Sequence, residues 1–301
     1  MFRPKRLLRR FTFRLLQGLA RILALGGPSS LRRWGGRFGG WHYRLARGSR
    51  RKLLAQMAVA LNRAPDDPSL AKVLAEAYRH NDRAVLELLA MYSGELSIEE
   101  VCQLCEIEAV DRLQAVLRPD RGAILLGMHM GNGVAMATRL ARDGLAVSVI
   151  YRESGKIPRD FFFRGLTRLG LNAINARSGG GAVRAMLRAL RSGGVIFILM
   201  DQGTKRGGVP AEFLGKTIPM PAGTVELARR AKVPVLPALT IAAEPVWRFC
   251  IDEPVWLDSA TKIDFQVAEL SQIMSDHIRR QPQLWTWHHR RWKRYPFITG
   301  N

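Results

Sequence analysis

Two hydrophobic rhythms divide the chain. Up to residue 118, apolar residues recur at three- and four-residue steps, the period of a helix. From Leu8, the positions Phe11, Leu15, Leu19, Ile22 and Leu23 keep this spacing, while Arg6, Arg10, Arg14, Gln17 and Arg21 fall on the opposite side. After the break at Gly26 to Pro28, the same rhythm predicts helices over Leu31–Leu45, Lys52–Leu61, Leu70–Tyr92 and Ser97–Leu117, separated by turn signals such as Pro65 to Pro68. From Gly122 short apolar runs alternate with helical stretches. The predicted strands are Ala123–Met128, Ala146–Tyr151, Leu171–Asn175, Val195–Met200 and Val233–Ile241, and the helices between them are Val134–Arg142, Arg159–Leu169, Gly181–Arg191 and Gly223–Ala231. Such alternation means parallel strands joined by crossover helices. A strand at Trp247–Ile251 and a helix around Phe265–Arg279 complete the pattern. The expected fold class is α/β, a mostly parallel central sheet flanked by helices with an N-terminal helical region. Residues 1–118 form that basic amphipathic region and 119–301 the α/β core. With no repeat, low-complexity tract or linker between them, the two are expected to pack as one unit.

Charge adds a partner class. The formal charge of +22 over 301 residues points to an anionic partner, whether nucleic acid, acidic protein or membrane surface. Residues 1–65 carry sixteen Lys/Arg and no Asp or Glu, the first acid being Asp66. Arginines facing a leucine/phenylalanine face suit a helix lying in a membrane interface; the alternative is a helix packed on its own domain. The arginines between Arg9 and Arg21 argue against a spanning segment and interrupt any signal-peptide core. No nucleic-acid module accompanies the charge, so nucleic acid is not an expected partner. The three cysteines are too few for a disulfide framework. Cys102 and Cys105 form a CxxC pair inside a predicted helix without a second pair or a nearby histidine, and read as core-facing residues one turn apart.

The candidate chemistry centres on His129. It follows the apolar run Ala123 to Leu126, and Gly127, Gly131 and Gly133 loosen the turn before the helix at Val134. In an open α/β sheet ligands bind at the carboxyl ends of strands, where His129 stands; the alternative is a hydrogen-bonded core histidine. Downstream, in order, come Tyr151-Arg152, Asn175 to Arg177, Met200-Asp201-Gln202, Phe213 to Gly215, Ala222 to Thr224 before Leu227-Ala228, and a Trp/Arg-rich ending from Trp285 to Trp292.

This ordered set resembles the lipid A biosynthesis late acyltransferases, the lauroyl/myristoyl transferase family. The resemblance runs from the basic amphipathic start to the Trp/Arg-rich end. It implies an O-acyltransferase at the cytoplasmic face of the inner membrane, peripheral or monotopic. Such an enzyme moves a fatty acyl chain from acyl carrier protein, or acyl-CoA, to a hydroxyl of an anionic membrane glycolipid such as a lipid A precursor. A neutral histidine serving as general base needs no metal, cofactor or covalent enzyme intermediate. The resemblance implies His129 as the base, and Arg152, Arg177, Asn132 and Thr224 on the substrate side, with the arginines meeting phosphate.

One position departs from the family pattern, which has an acid after four residues following the histidine. Here that position is Val134, and no Asp or Glu occurs between Asp120 and Asp143. Asp201 ends the run Val195–Met200 and is the best substitute, if that strand lies parallel to Ala123–Met128. Its alternatives are capping the next loop or pairing with Lys205 or Arg206. Asn132 is a weaker candidate, able to hold a tautomer but not to balance charge. The opposing reading is a catalytically impaired homologue that binds lipid or carrier protein without turnover. Ser178 to Gly181 reads as a strand–helix turn. Phe161 to Phe163 face the core or line an acyl groove. Trp285, Trp287, Trp292 and Arg290–Arg291 suit either a bilayer interface or a packed C-terminal segment.

Overall fold

The computed structural model describes residues 4–153, 157–204 and 208–288, with side chains from residue 11 onward. The N-terminal part holds helices α1 (Pro4–Ala24), α2 (Gly27–Leu45), α3 (Arg47–Ala60), α4 (Pro68–Ser93) and α5 (Ile98–Cys102), strand β1 (Cys105–Glu108) and helix α6 (Val110–Val116). Then follow β2 (Ala123–Gly127), α7 (Gly133–Arg142), β3 (Val147–Tyr151), α8 (Phe161–Arg168), β4 (Asn172–Asn175), α9 (Gly180–Arg191) and β5 (Val195–Leu199). The chain continues through β6 (Gly208–Glu212), β7 (Thr217–Pro221), α10 (Gly223–Ala231), β8 (Val235–Ala242), β9 (Trp247–Ile251) and α11 (Ile263–Arg280).

Seven strands form one sheet in the order β1-β9-β8-β2-β5-β3-β4, and β6 pairs with β7 as a separate antiparallel hairpin. The five strands from β8 to β4 run parallel; β9 joins β8 antiparallel, and β1 joins β9 parallel. Central strand β2 is wholly buried, as a strand covered on both faces by crossover helices must be. Right-handed crossovers set α7 and α8 on one face of the sheet and α9 and α10 on the other. Neighbours agree: α4 packs on α8 and α5 on α7, whereas α9 packs on α10 and α10 on α11.

α4 is the pillar of the helical part. Asp67 caps its start by accepting from the Ser69 amide at 2.8 Å, and Gly94 ends it in the left-handed conformation. α2 lies so close along α4 that a Cβ on Gly35 would stand 2.8 Å from the Arg83 Cα, and one on Gly39 2.5 Å from the Tyr78 carbonyl oxygen. Only glycine permits that approach.

Two expectations need correction. The predicted helix Ser97–Leu117 is three elements: α5, closed at its start by a Ser97/Glu100 capping box, then β1, then α6. Strand β1 joins the sheet through pairing with Trp247 to Cys250, so residues on both sides of 118 build one sheet. Cys102 and Cys105 therefore do not share a helix. Burial raises both thiols, Cys105 to about 12, so neither is a thiolate near neutrality. The β6–β7 hairpin has no counterpart among the predicted strands. It pairs Pro210 with Pro219, and proline offers the ladder no donor, which weakens any strand signal.

α1 is amphipathic on two sides. Phe13, Leu16, Leu19, Ala20 and Leu23 pack against the protein, Phe13 meeting Phe161 edge-on at 5.1 Å. Phe11, Leu15 and Ile22 point outward, 59, 57 and 66% exposed. No helix among the described residues is long and apolar enough to cross a membrane.

Candidate active site

The sheet register brings the candidate residues together. Gly127 of β2 pairs with Leu199 of β5, so His129 and Asp201, each two residues further on, leave the sheet side by side. Tyr151 of β3 pairs with Asn175 of β4 in the same parallel block, which puts Arg152 and Arg177 on the same carboxyl edge. At about 4.8 Å per strand, β4 lies about 14 Å from β2. Along this edge stand His129, Asp201, Arg152 and Arg177, in that order.

His129 Nδ1 lies 2.6 Å from Asp201 Oδ1. The other carboxylate oxygen accepts from the His129 backbone N–H at 3.0 Å and from the Trp285 indole N–H at 2.8 Å. Asp201 is fully buried, and these donors converge on it, which is what allows a carboxylate to stay inside a protein. With the carboxylate accepting at Nδ1, that nitrogen carries the ring proton and Nε2 is left as the acceptor. Nε2 faces the Gln202 amide nitrogen at 3.1 Å, and the imidazole is 26% exposed at the sheet edge. A base so arranged can take a proton at Nε2 while Asp201 balances the charge that forms.

The turn carrying His129 is held residue by residue. The His129 carbonyl accepts from the Thr286 amide at 2.9 Å, and the Met130 carbonyl from Thr240 Oγ1 at 2.9 Å. Met130 also bridges Trp285. Gly131 has φ +60°, and a Cβ there would meet the Trp247 ring at 2.9 Å. Asn132 caps α7, its Oδ1 accepting from the Ala135 amide at 3.3 Å while its Nδ2 donates to Glu87 Oε2 at 3.1 Å. Glu87 is fully buried; Oε2 also accepts from the Trp247 indole at 2.6 Å, and Oε1 accepts from Arg83 Nε at 2.7 Å. The Arg83 guanidinium carbon lies over the Trp247 ring, 4.4 Å from its centroid. A buried ion pair thus underpins the turn from the helical part of the chain.

Sequence reasoning named His129, Asp201 and Asn132, which the structure gathers at one turn. It quoted Gln202 and Trp285 without giving either a contact, and it missed Glu87, Arg83 and Trp247 altogether. Arg152 and Arg177 are exposed at the strand ends. Thr224 and Asn132 are buried, each 3% exposed, and Thr224 sits in the first turn of α10. Val134 is half-buried in the first turn of α7. Trp285 and Trp287 are fully buried, whereas Lys205, Arg206, Arg290, Arg291 and Trp292 lie outside the described residues. Phe161 and Phe162 are half-buried beside Tyr92, and Phe163 is 48% exposed.

A sequence model of the family described as bacterial lipid A biosynthesis acyltransferase matches residues 2–294. The chain belongs to that family. A search of the curated proteins gives no match. Membership of the lipid A acyltransferases makes acyl transfer onto a lipid A precursor the family's chemistry, and the enzyme class an acyltransferase. In this member of the family the edge of the sheet carries a His–Asp pair at one end and two exposed guanidinium groups at the other. That layout suits a proton transfer next to an anionic substrate. Among the described residues, no group of three or more His, Cys, Asp or Glu is placed to hold a metal ion.

Proposed function

We propose that the chain transfers a fatty acyl group from a thioester, acyl carrier protein or acyl-CoA, to a hydroxyl of a membrane glycolipid such as a lipid A precursor. The observation that carries this reading is the 2.6 Å contact between His129 Nδ1 and Asp201 Oδ1. Nε2 of His129 takes the acceptor hydroxyl proton as the oxygen attacks the thioester carbonyl. The tetrahedral intermediate collapses, the C–S bond breaks, and the imidazolium returns its proton to the departing sulfur. Gln202 holds Nε2 until the hydroxyl replaces it. Arg152 and Arg177 meet phosphate on the acceptor, while Asn132, through its cap on α7, positions the histidine turn.

The non-catalytic alternative rests on Val134. A carboxylate there would orient the imidazole, but Asp201 already occupies Nδ1 and leaves a second acid nothing to hold. The pairing supports turnover.

The same reading places the enzyme against the cytoplasmic face of the inner membrane, as a peripheral or monotopic protein. Exposed Phe11, Leu15 and Ile22 of α1 lie among arginines, and α2 adds Trp34 and Trp41, 42 and 54% exposed, with Arg37 over the Trp34 ring at 4.8 Å. Apolar side chains interleaved with cations suit the headgroup region of an anionic bilayer.

The test is transfer of radiolabelled acyl chain from acyl carrier protein to detergent-dispersed lipid A precursor. Wild type should yield labelled lipid, and His129→Ala should lose roughly 10²–10⁴-fold. Equal activity of the two proteins overturns the mechanism, and an inert wild type across donors and acceptors favours the non-catalytic reading.

A further inference from the structure

Residues 161–200 hold six arginines and no Asp or Glu. Three of them, Arg184, Arg188 and Arg191, sit on α9 at i, i+4 and i+7, within about 60° of one another around the axis and over about 10 Å of its length. All three are exposed. Among the described residues, no ion pair involves them, or Arg177 at the start of the same connection. Some exposed arginines elsewhere meet acids, as Arg79 does with Glu76 and Arg142 with Glu99. α9 begins directly beyond the carboxyl end of β4, so its stripe starts at the catalytic edge and runs away from it. It lies on the sheet face opposite α8, and so opposite the face on which α4 packs against α8 and carries α1 and α2.

We propose that this stripe, Arg184, Arg188 and Arg191, docks the acidic protein that carries the acyl thioester. The inference rests on the thioester-donor reading above and names where the donor's protein half sits. Three features select a protein. A helix face is convex and offers a small nucleotide donor no enclosure, whereas small-molecule sites are concave. Evenly spaced guanidinium groups along a helix match a row of carboxylates on a partner helix, and complementary charge both steers the encounter and sets its register. No large exposed apolar side chain lies on α9, in contrast to α1 and α2, so the stripe lacks what a bilayer-inserting face needs. The two basic surfaces then have separate tasks: the α1/α2 side meets the membrane with its glycolipid, and the α9 side receives the donor. The catalytic edge is reached from both.

The experiment is fluorescence anisotropy of labelled acidic acyl carrier protein titrated with the detergent-solubilised full-length enzyme. Arg184→Glu/Arg188→Glu should raise the dissociation constant about tenfold or more, and wild-type binding should weaken steeply between ~50 and ~300 mM salt. The same variant should bind phosphatidylglycerol vesicles as wild type does. A charge-matched control on α3 and α4, Arg51→Glu/Lys72→Glu, should change carrier binding less than about threefold. Unaltered carrier binding by the α9 variant overturns the proposal, as does an equal loss in the control. Loss of vesicle binding with carrier binding retained reassigns the stripe to the membrane and also overturns it. Because binding is read without turnover, an enzyme that transfers nothing yet binds carrier through α9 refutes the transfer reading and upholds the docking surface. Transfer from carrier protein that survives intact in the α9 variant does the reverse.

Discussion

Replacing Asp201 by Asn changes one oxygen to an amide and tests the centre of the site. Asp201 accepts hydrogen bonds from His129 Nδ1, the His129 backbone N–H and the Trp285 indole. In the variant the amide oxygen can still serve the backbone and indole donors. The NH₂ group then faces Nδ1 and forces that nitrogen to accept, which moves the ring proton to Nε2. The base is thereby protonated on the nitrogen that should act, and it now points a donor at the Gln202 amide. Loss of general-base function is worth about 10²–10⁴ in kcat, or about 3–5 kcal/mol of transition-state stabilisation. The folded state should lose less, about 1–3 kcal/mol, because most donors keep an acceptor. Steady-state transfer to detergent-dispersed acceptor gives kcat and KM separately, and thermal melting reports the fold. The expected result is a large fall in kcat with KM nearly unchanged. Trp285→Phe removes one donor to the carboxylate but leaves the pair, and should cost kcat about tenfold or less. An Asp201→Asn protein that keeps more than about a third of wild-type kcat would refute the reasoning, because no proton on Nδ1 would then be needed.

Three further outcomes follow from the packing and charge. Glu87→Gln leaves the Arg83 guanidinium, 2% exposed, with the largely exposed Glu244 carboxylate at 3.2 Å in place of its buried counter-charge, and urea unfolding should show a loss of about 3 kcal/mol; a loss under about 1 kcal/mol would mean the buried ion pair is not the support of the turn. Arg152→Ala should raise KM for a phosphorylated acceptor with no change in melting temperature, and Arg152→Lys should not restore it, because lysine lacks the planar fork; normal kinetics in both would remove Arg152 from the site. Burial depresses the His288 pKa to about 4, so the unfolded chain binds the proton first, and stability should fall as pH drops from about 6.5 toward 4. His288→Phe should therefore recover roughly 2–3 kcal/mol at pH 4.5 relative to wild type and little at pH 7, read from urea unfolding at both values.

What the sequence determined by itself was everything carried by near neighbours. Helical period marked α1 to α4 and α7 to α11, and apolar runs ended by turn residues marked β2, β3, β4, β5, β8 and β9. A histidine after a buried strand and before a helix was legible as a candidate site, because a parallel sheet presents that position at its ligand-binding edge. Local pattern failed where tertiary pairing outweighed it. Four residues from Cys105 are too short a stretch to show a period, and they are a strand because the edge of β9 pairs with them. The hairpin of β6 and β7 likewise hid its strand signal behind prolines.

Only the tertiary structure decided which acid meets His129. The sequence offers no acid near it, and the partner stands 72 positions later, brought alongside by the pairing of Gly127 with Leu199. Trp285, which holds that acid, stands 84 positions further on again. Glu87, on a helix of the N-terminal part, reaches Asn132 and Trp247 only through the packing of α4 against the sheet's edge. The physical reason is common to all of these contacts. A hydrogen bond between distant residues is fixed by strand register and layer packing, quantities that belong to the assembled chain and leave no period in the sequence.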